Sequence, residues 1–173
     1  FDNGQTWNSS ATGGFLVLPG RSSARPAMQQ FGNKLYMTFK GQSSKNIYLS
    51  STIDGINWST PVELGGEASI TPSLTVFNNK LYIFYRGGSS KKIWYRSTTN
   101  GTTWSSETTI SGQETTHTPY ATVHNGKLFV AFKGGSSEDI HIVSSADGVT
   151  GSGRVTPPGW RSDSGPAIAS DGA

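Results

Sequence analysis

The chain has 173 residues, with 14 Lys and Arg against 11 Asp and Glu, a net charge of +3, 22 Gly and no Cys. The lack of cysteine rules out both a disulfide framework and a thiolate metal site, and no apolar run reaches the roughly 18 residues of a membrane-spanning helix. Cations recur at fixed repeat positions with Asp and Glu interleaved and no long basic run, so the concentrated basic face that tracks phosphates is missing and nucleic acid is not an expected partner.

Read in chain order, the sequence restarts after every 46 or 47 residues, with Pro26, Pro72, Pro119 and Pro166 marking the interval. Residues 1–24 hold only a corner, Asp2-Asn3-Gly4-Gln5-Thr6-Trp7, and an outer strand. Full copies begin at Arg25, Thr71 and Thr118, and residues 165–173 offer the first strand of another.

The copy from Thr71 shows the grammar most clearly. PSLTVF is a short strand closed by Asn78-Asn79, and KLYIFYR is a second, with the β-branched and aromatic content of a strand buried on both faces. After the turn Gly87-Gly88-Ser89-Ser90 come KKIWYRST, the corner Asn100-Gly101 with Trp104 three residues on, and an outer strand ETTIS. The other copies place Gly32-Asn33 or Asn125-Gly126 at the first turn. At the third turn they place Asp54-Gly55, with Trp58 beyond it, or Asp147-Gly148. Such residues supply the positive φ of tight hairpins.

Four antiparallel strands per repeat predict one propeller blade. The expected architecture is therefore an all-β propeller segment, divided as residues 1–24 (partial), 25–70, 71–117, 118–164 and 165–173 (first strand only). After Gly148 the stretch GVTGSGRVTPPGW has no aromatic at the usual place, and Trp160 is expected to substitute from the outer edge. The incomplete ends suggest a larger propeller or a unit that self-assembles.

Two resemblances follow from these motifs. The corner at Asp2, Gly4 and Trp7 is similar to the Asp-box of sialidases and other carbohydrate-active propellers. There the Asp accepts turn N–H groups, the Gly takes positive φ and the Trp fills the space between strands. Asp54, Gly55, Trp58, Asn100, Gly101, Trp104, Asp147 and Gly148 are expected to do the same, although their acid or amide directly precedes the glycine. The whole repeat, with its GKLY, FKG, I-x-Y-S-S and DG-x-x-W elements, resembles bacterial propeller lectins of the Photorhabdus type. That resemblance implies a secreted protein binding fucose or related sugars between blades.

The residues themselves offer a repeated cation and a repeated ring. Lys40, Arg86 and Lys133 close the second strand of each copy, and Tyr48, Trp94 and His141 sit on the third. Cationic donors suit sugar oxygens and an aromatic face suits the C–H side of a pyranose, so the six residues are the candidate carbohydrate site. The competing structural role is inter-blade packing for the rings and surface solvation for the cations.

Catalysis finds less support. Arg25-Pro26 is similar to the first-arginine motif of sialidases, but Pro26 is simply the proline of the repeat. Glu63, Glu67, Glu107 and Glu114 fall on outer strands or loops and do not pair as glycoside hydrolysis requires. His117, His124 and His141 lack metal-ligand spacing, so neither a metal nor a cofactor is expected. The sequence reads as a glycan-binding propeller whose weak repeated sites add up through avidity. Its alternatives are a fragment of a sialidase-like glycoside hydrolase and a protein-interaction scaffold.

Overall fold

The computed structural model describes residues 20–169, and every regular element among them is a β-strand. Strands β1 (Ala27–Phe31), β2 (Lys34–Lys40), β3 (Asn46–Thr52) and β4 (Val62–Glu67) form one antiparallel sheet in that order. A second sheet repeats it with β5 (Ser73–Phe77), β6 (Lys80–Arg86), β7 (Lys92–Thr98) and β8 (Thr108–Glu114). The third contains β9 (Tyr120–His124), β10 (Lys127–Lys133) and β11 (Ile140–Ser145). No helix among the described residues is long and apolar enough to cross a membrane.

The second sheet packs face to face with the first on one side and with the third on the other, so its middle strands are covered on both sides. In β6 the run Leu81-Tyr82-Ile83-Phe84-Tyr85 is buried throughout, which is why it shows no polar alternation. One face of the first sheet (Tyr36, Ile47, Leu49) meets Leu74, Leu81, Ile83 and Tyr85 of the second, forming a first seam. The opposite face of the second sheet (Tyr82, Phe84, Ile93) meets Leu128, Val130, Phe132 and Val143, forming a second seam.

Inner strands β1, β5 and β9 lie against one another in sequence. Thr118 Oγ1 donates to the Thr71 carbonyl at 2.9 Å and Ser73 Oγ to the Pro119 carbonyl at 2.5 Å, linking neighbouring blades at this inner edge. Inner strands clustered together and outer strands β4 and β8 on the far side of each sheet give the radial arrangement of a β-propeller.

The corners form as the side chains dictate. Asp54 Oδ1 accepts the N–H groups of Ile56 (2.8 Å) and Asn57 (2.7 Å), and Asp147 Oδ1 those of Val149 (2.8 Å) and Thr150 (2.7 Å). Asn100 Oδ1 accepts from Thr102 and Thr103, both at 2.9 Å. Glycines 55, 101 and 148 have φ of 76°, 76° and 79°. A second requirement is invisible in the turn alone: a Cβ on Gly101 would overlap the Tyr36 hydroxyl of the preceding blade, and one on Gly148 the Tyr82 hydroxyl. Trp58 Nε1 donates to the Gly55 carbonyl at 3.3 Å, and Trp104 packs against the first-seam core. Asp2, Gly4 and Trp7 lie outside the described residues.

The third blade departs from the expected four strands. Its outer edge consists of isolated bridges, Ser145 to Gly151, Ile142 to Val155 and Asp139 to Arg161. Gly151 and Gly153 lower strand propensity there, and Pro157 and Pro158 bring no N–H to a ladder. Trp160 does not fill the missing corner: it is 59% exposed, and its carbonyl accepts the Ile140 N–H at 2.9 Å. Residues 165–169 carry no strand, and the rest of that segment is outside the described range.

Candidate carbohydrate-binding surface

Lys40, Arg86 and Lys133 end β2, β6 and β10, and each precedes a buried glycine bridged to the incoming chain: Gly41 to Ser22, Gly87 to Ala68, Gly134 to Thr115. The incoming segment brings a hydroxyl to the cation. Lys40 Nζ donates to Ser23 Oγ and Arg86 Nη1 to Ser69 Oγ, both at 2.8 Å, from equivalent repeat positions. Lys133 differs, donating to the Ser137 carbonyl at 3.1 Å, while the hydroxyl at the corresponding place, Thr116, turns to His117 Nδ1 at 2.9 Å.

Two of these cations act on one histidine. Burial pushes the His117 pKa below its ordinary value, and the nearby charges of Lys133 and then Arg86 push it further. The ring is therefore neutral at neutral pH, and Ser69, Arg86, Thr116 and His117 make a donor-rich zone beside the inner strands. Arg86 Nε is buried there without a partner. Such a zone suits a ligand rich in acceptor oxygens.

The aromatic half of the sequence-based site is placed differently from the expectation. Strand register pairs Phe39 with Tyr48 and Lys40 with Ile47, Tyr85 with Trp94 and Arg86 with Ile93, Phe132 with His141 and Lys133 with Ile140. Successive residues point to opposite faces, so the cation and the ring of one copy never share a face. What shares a seam is the cation of one blade and the ring of the next: Lys40 with Trp94, and Arg86 with His141. Lys133 and Tyr48 lie on faces turned away from the second sheet.

The rings also have a structural task in common, because each covers the glycine after the cation. A Cβ at Gly41 would lie 3.0 Å from Tyr48 Cε2, at Gly87 2.9 Å from Trp94 Nε1, and at Gly134 3.0 Å from His141 Nε2. His141 is committed to this role. It is 6% exposed, tilts on Phe132 with centroids 5.5 Å apart, and holds Thr156 Oγ1 at 2.7 Å through Nδ1. Burial, then the charge of Arg154, lowers its pKa.

Tyr48 is more open. It stacks on Phe39 with centroids 5.6 Å apart and lines a cleft of about 530 Å³ with Arg21, Gln42, Ser44 and Pro61. Sequence reasoning missed Arg21, for which the repeat gave no signal: the equivalent residues are Glu67 and Glu114.

Four carboxylates have separate tasks. Glu107 accepts from the Tyr85 hydroxyl, whose pKa is driven far up by burial and by that hydrogen bond. Asp139 pairs with Arg161 at 3.2 Å, and Asp54 and Asp147 serve their turns. Among the described residues no group of three or more His, Asp and Glu comes together to hold a metal.

No family model matches the chain, and no curated protein does. Solved structures resemble it in fold. A family 117 glycoside hydrolase from Zobellia galactanivorans superposes over 82% of this chain and 59% of its own, at 13% identity and a TM-score of 0.57. An α-L-arabinofuranosidase from Fusarium graminearum does so over 77% and 50%, at 13% identity and a TM-score of 0.59. A family 43 arabinoxylan arabinofuranohydrolase from Bacillus subtilis does so over 80% and 41%, at 13% identity and a TM-score of 0.58. This chain thus spans about half the length of the structures it matches. At such identity the likeness is one of fold, to propellers that are glycoside hydrolases. It gives no support to the fucose-lectin type in particular.

Proposed function

We propose that the chain is part of a glycoside-hydrolase-type β-propeller that handles carbohydrate, and that the described blades hold sugar rather than cleave it. The observation that carries the proposal is the inner rim. Arg86 donates to Ser69 Oγ, the nearby His117 holds the Thr116 hydroxyl, and Arg86 keeps one buried N–H without a partner. Sugar hydroxyl and ring oxygens are acceptors for such charge-assisted donors, and the Tyr48 ring offers a separate apolar face. The hydrolase part is supported by the class of the similar propellers. Because Glu107, Asp54, Asp139 and Asp147 are each engaged elsewhere, the proposal puts the bond-cleaving acids on blades beyond these. Secretion belongs to the same proposal, since polymeric plant and microbial glycans are met outside cells.

A glycan array probed with the 173-residue chain, alongside hydrolysis of aryl α-L-arabinofuranosides and a fluorogenic sialoside by the full-length gene product, tests it. The expected result is binding by the chain and cleavage by the full-length protein. The recurrence of the Lys40–Ser23 and Arg86–Ser69 pairs favours a second proposal, a non-catalytic lectin with repeated sites, with fucose among the first sugars to try. Binding without any cleavage would select that one, and an array without signal above background would remove both.

A further inference from the structure

One position of the repeat, held by Ser50, Arg96 and Val143, differs between blades in what it offers the carbonyls around it. In the first blade Ser50 Oγ donates to the Ser59 carbonyl at 2.7 Å. In the second, Arg96 Nε donates to the equivalent Ser105 carbonyl at 2.7 Å. Its Nη1 crosses the first seam to the carbonyls of Leu64 and Gly65, the latter at 3.4 Å. In the third blade Val143 has no donor to give.

The acceptor frame is nonetheless repeated. Ser144 N donates to Ser152 Oγ at 3.0 Å and Ser152 N to the Ser144 carbonyl at 2.7 Å, just as Ser97 and Ser105 are joined at 3.0 and 2.9 Å. The residues corresponding to Ser105, Leu64 and Gly65 are Ser152, Ile110 and Ser111. All three line a cavity of about 230 Å³ in the second seam, together with Val143. Phe84, Leu128 and Val130 form its apolar wall. Gln113, also in the lining, has its Oε1 buried without a partner while its Nε2 donates to the Ser111 carbonyl at 3.3 Å.

We infer that this cavity is a binding site for an alkylguanidinium ligand, which takes in the second seam the place that Arg96 takes in the first. The guanidinium is planar and weakly hydrated, and its forked donors match several carbonyls at once. Its aliphatic stem suits the wall of Phe84, Leu128 and Val130. An ammonium concentrates its charge and keeps its water, and a sugar ring would set the hydroxyls of one edge against the apolar wall of Phe84, Leu128 and Val130. No carboxylate lines the cavity, so the affinity of a small guanidinium is on the order of millimolar. The inference does not depend on the carbohydrate proposal, and its failure would leave that proposal standing.

The test is a titration of N-propylguanidinium into the isotope-labelled 173-residue chain, followed by amide chemical shifts. Saturable shifts are expected at Ser111, Val143 and Ser152, with N-propylammonium roughly tenfold weaker. Val143→Arg should abolish them by filling the cavity from within. Arg96→Val should add a second set at Leu64, Gly65 and Ser105, and Gln113→Glu, which puts a carboxylate into the lining, should tighten binding several-fold. The last two decide the matter if Val143→Arg does not fold. Absence of saturation, a folded Val143→Arg protein that binds unchanged, or arabinose shifting the same amides more strongly would each overturn the inference.

Discussion

Replacing Gly101 with Ala separates two demands on one residue. Its φ of 76° is left-handed, and an L side chain there costs about 1–2 kcal/mol. The new Cβ would also overlap the Tyr36 hydroxyl and stand 2.6 Å from Tyr36 Cζ. Tyr36 is only 5% exposed within the first seam, so it cannot swing away without disturbing the core, and overpacking of this kind costs about 1–3 kcal/mol. The expected loss is thus about 2–5 kcal/mol. Gly126→Ala is the comparison: its φ is 67°, yet nothing among the described residues lies within 4 Å of its Cβ, so only the strain of about 1–2 kcal/mol is expected. Urea unfolding of both variants measures the difference. Tyr36→Phe in the Gly101→Ala background should recover part of it, as a double-mutant cycle would register. Equal losses at Gly101 and Gly126 would refute the inter-blade contact.

Three further outcomes are expected. Hydrogen bonds hold the carboxyls of Asp54 (chiefly from the Asn57 side chain) and Asp147 (chiefly from the Val149 N–H) well below the usual carboxylate range. A folded pKa below the unfolded one gives stability that is full above about pH 4 and lost as pH falls toward the folded value, so the urea midpoint should drop between about pH 4 and pH 2. Asp54→Asn with Asp147→Asn should flatten that drop, because Asn100 already makes the same turn without a charge. Arg96→Leu should cost about 1.5–3 kcal/mol in urea unfolding by removing charge-assisted bonds across the first seam, while leaving sugar binding unchanged. Tyr85→Phe should cost about 1–3 kcal/mol in urea unfolding by removing the hydrogen bond that the buried Tyr85 hydroxyl donates to Glu107.

The period and the strands were legible because they are written in local chemistry. KLYIFYR became β6 residue for residue, and Asn78-Asn79 and Asn125-Gly126 took the positive φ of type I′ turns. At the first turn Gly32 is positive and Asn33 is not, a different turn for the same job. Facing was harder to read. Lys40 and Tyr48 looked like partners, but the register after the Gly-Gln-Ser-Ser turn sets Lys40 opposite Ile47, and a one-residue offset moves a side chain to the other face. The role of His117 depends on cations from two blades and left no local mark. Trp160 misled because an aromatic near a missing corner looks like a plug, whereas glycines and prolines had already dissolved the strand that would have carried it. The Ser50, Arg96, Val143 series was visible in the aligned repeats, yet only the carbonyls across the seams gave it meaning.

The most direct test of the carbohydrate rim is calorimetric titration of an arabinoxylan oligosaccharide into the chain and into its Arg86→Ala variant. Loss of a charge-assisted donor in a half-buried site predicts an affinity roughly tenfold or more lower, with the unfolding transition still cooperative. An Arg86→Ala protein that is folded and binds the oligosaccharide as tightly as the original would contradict the account.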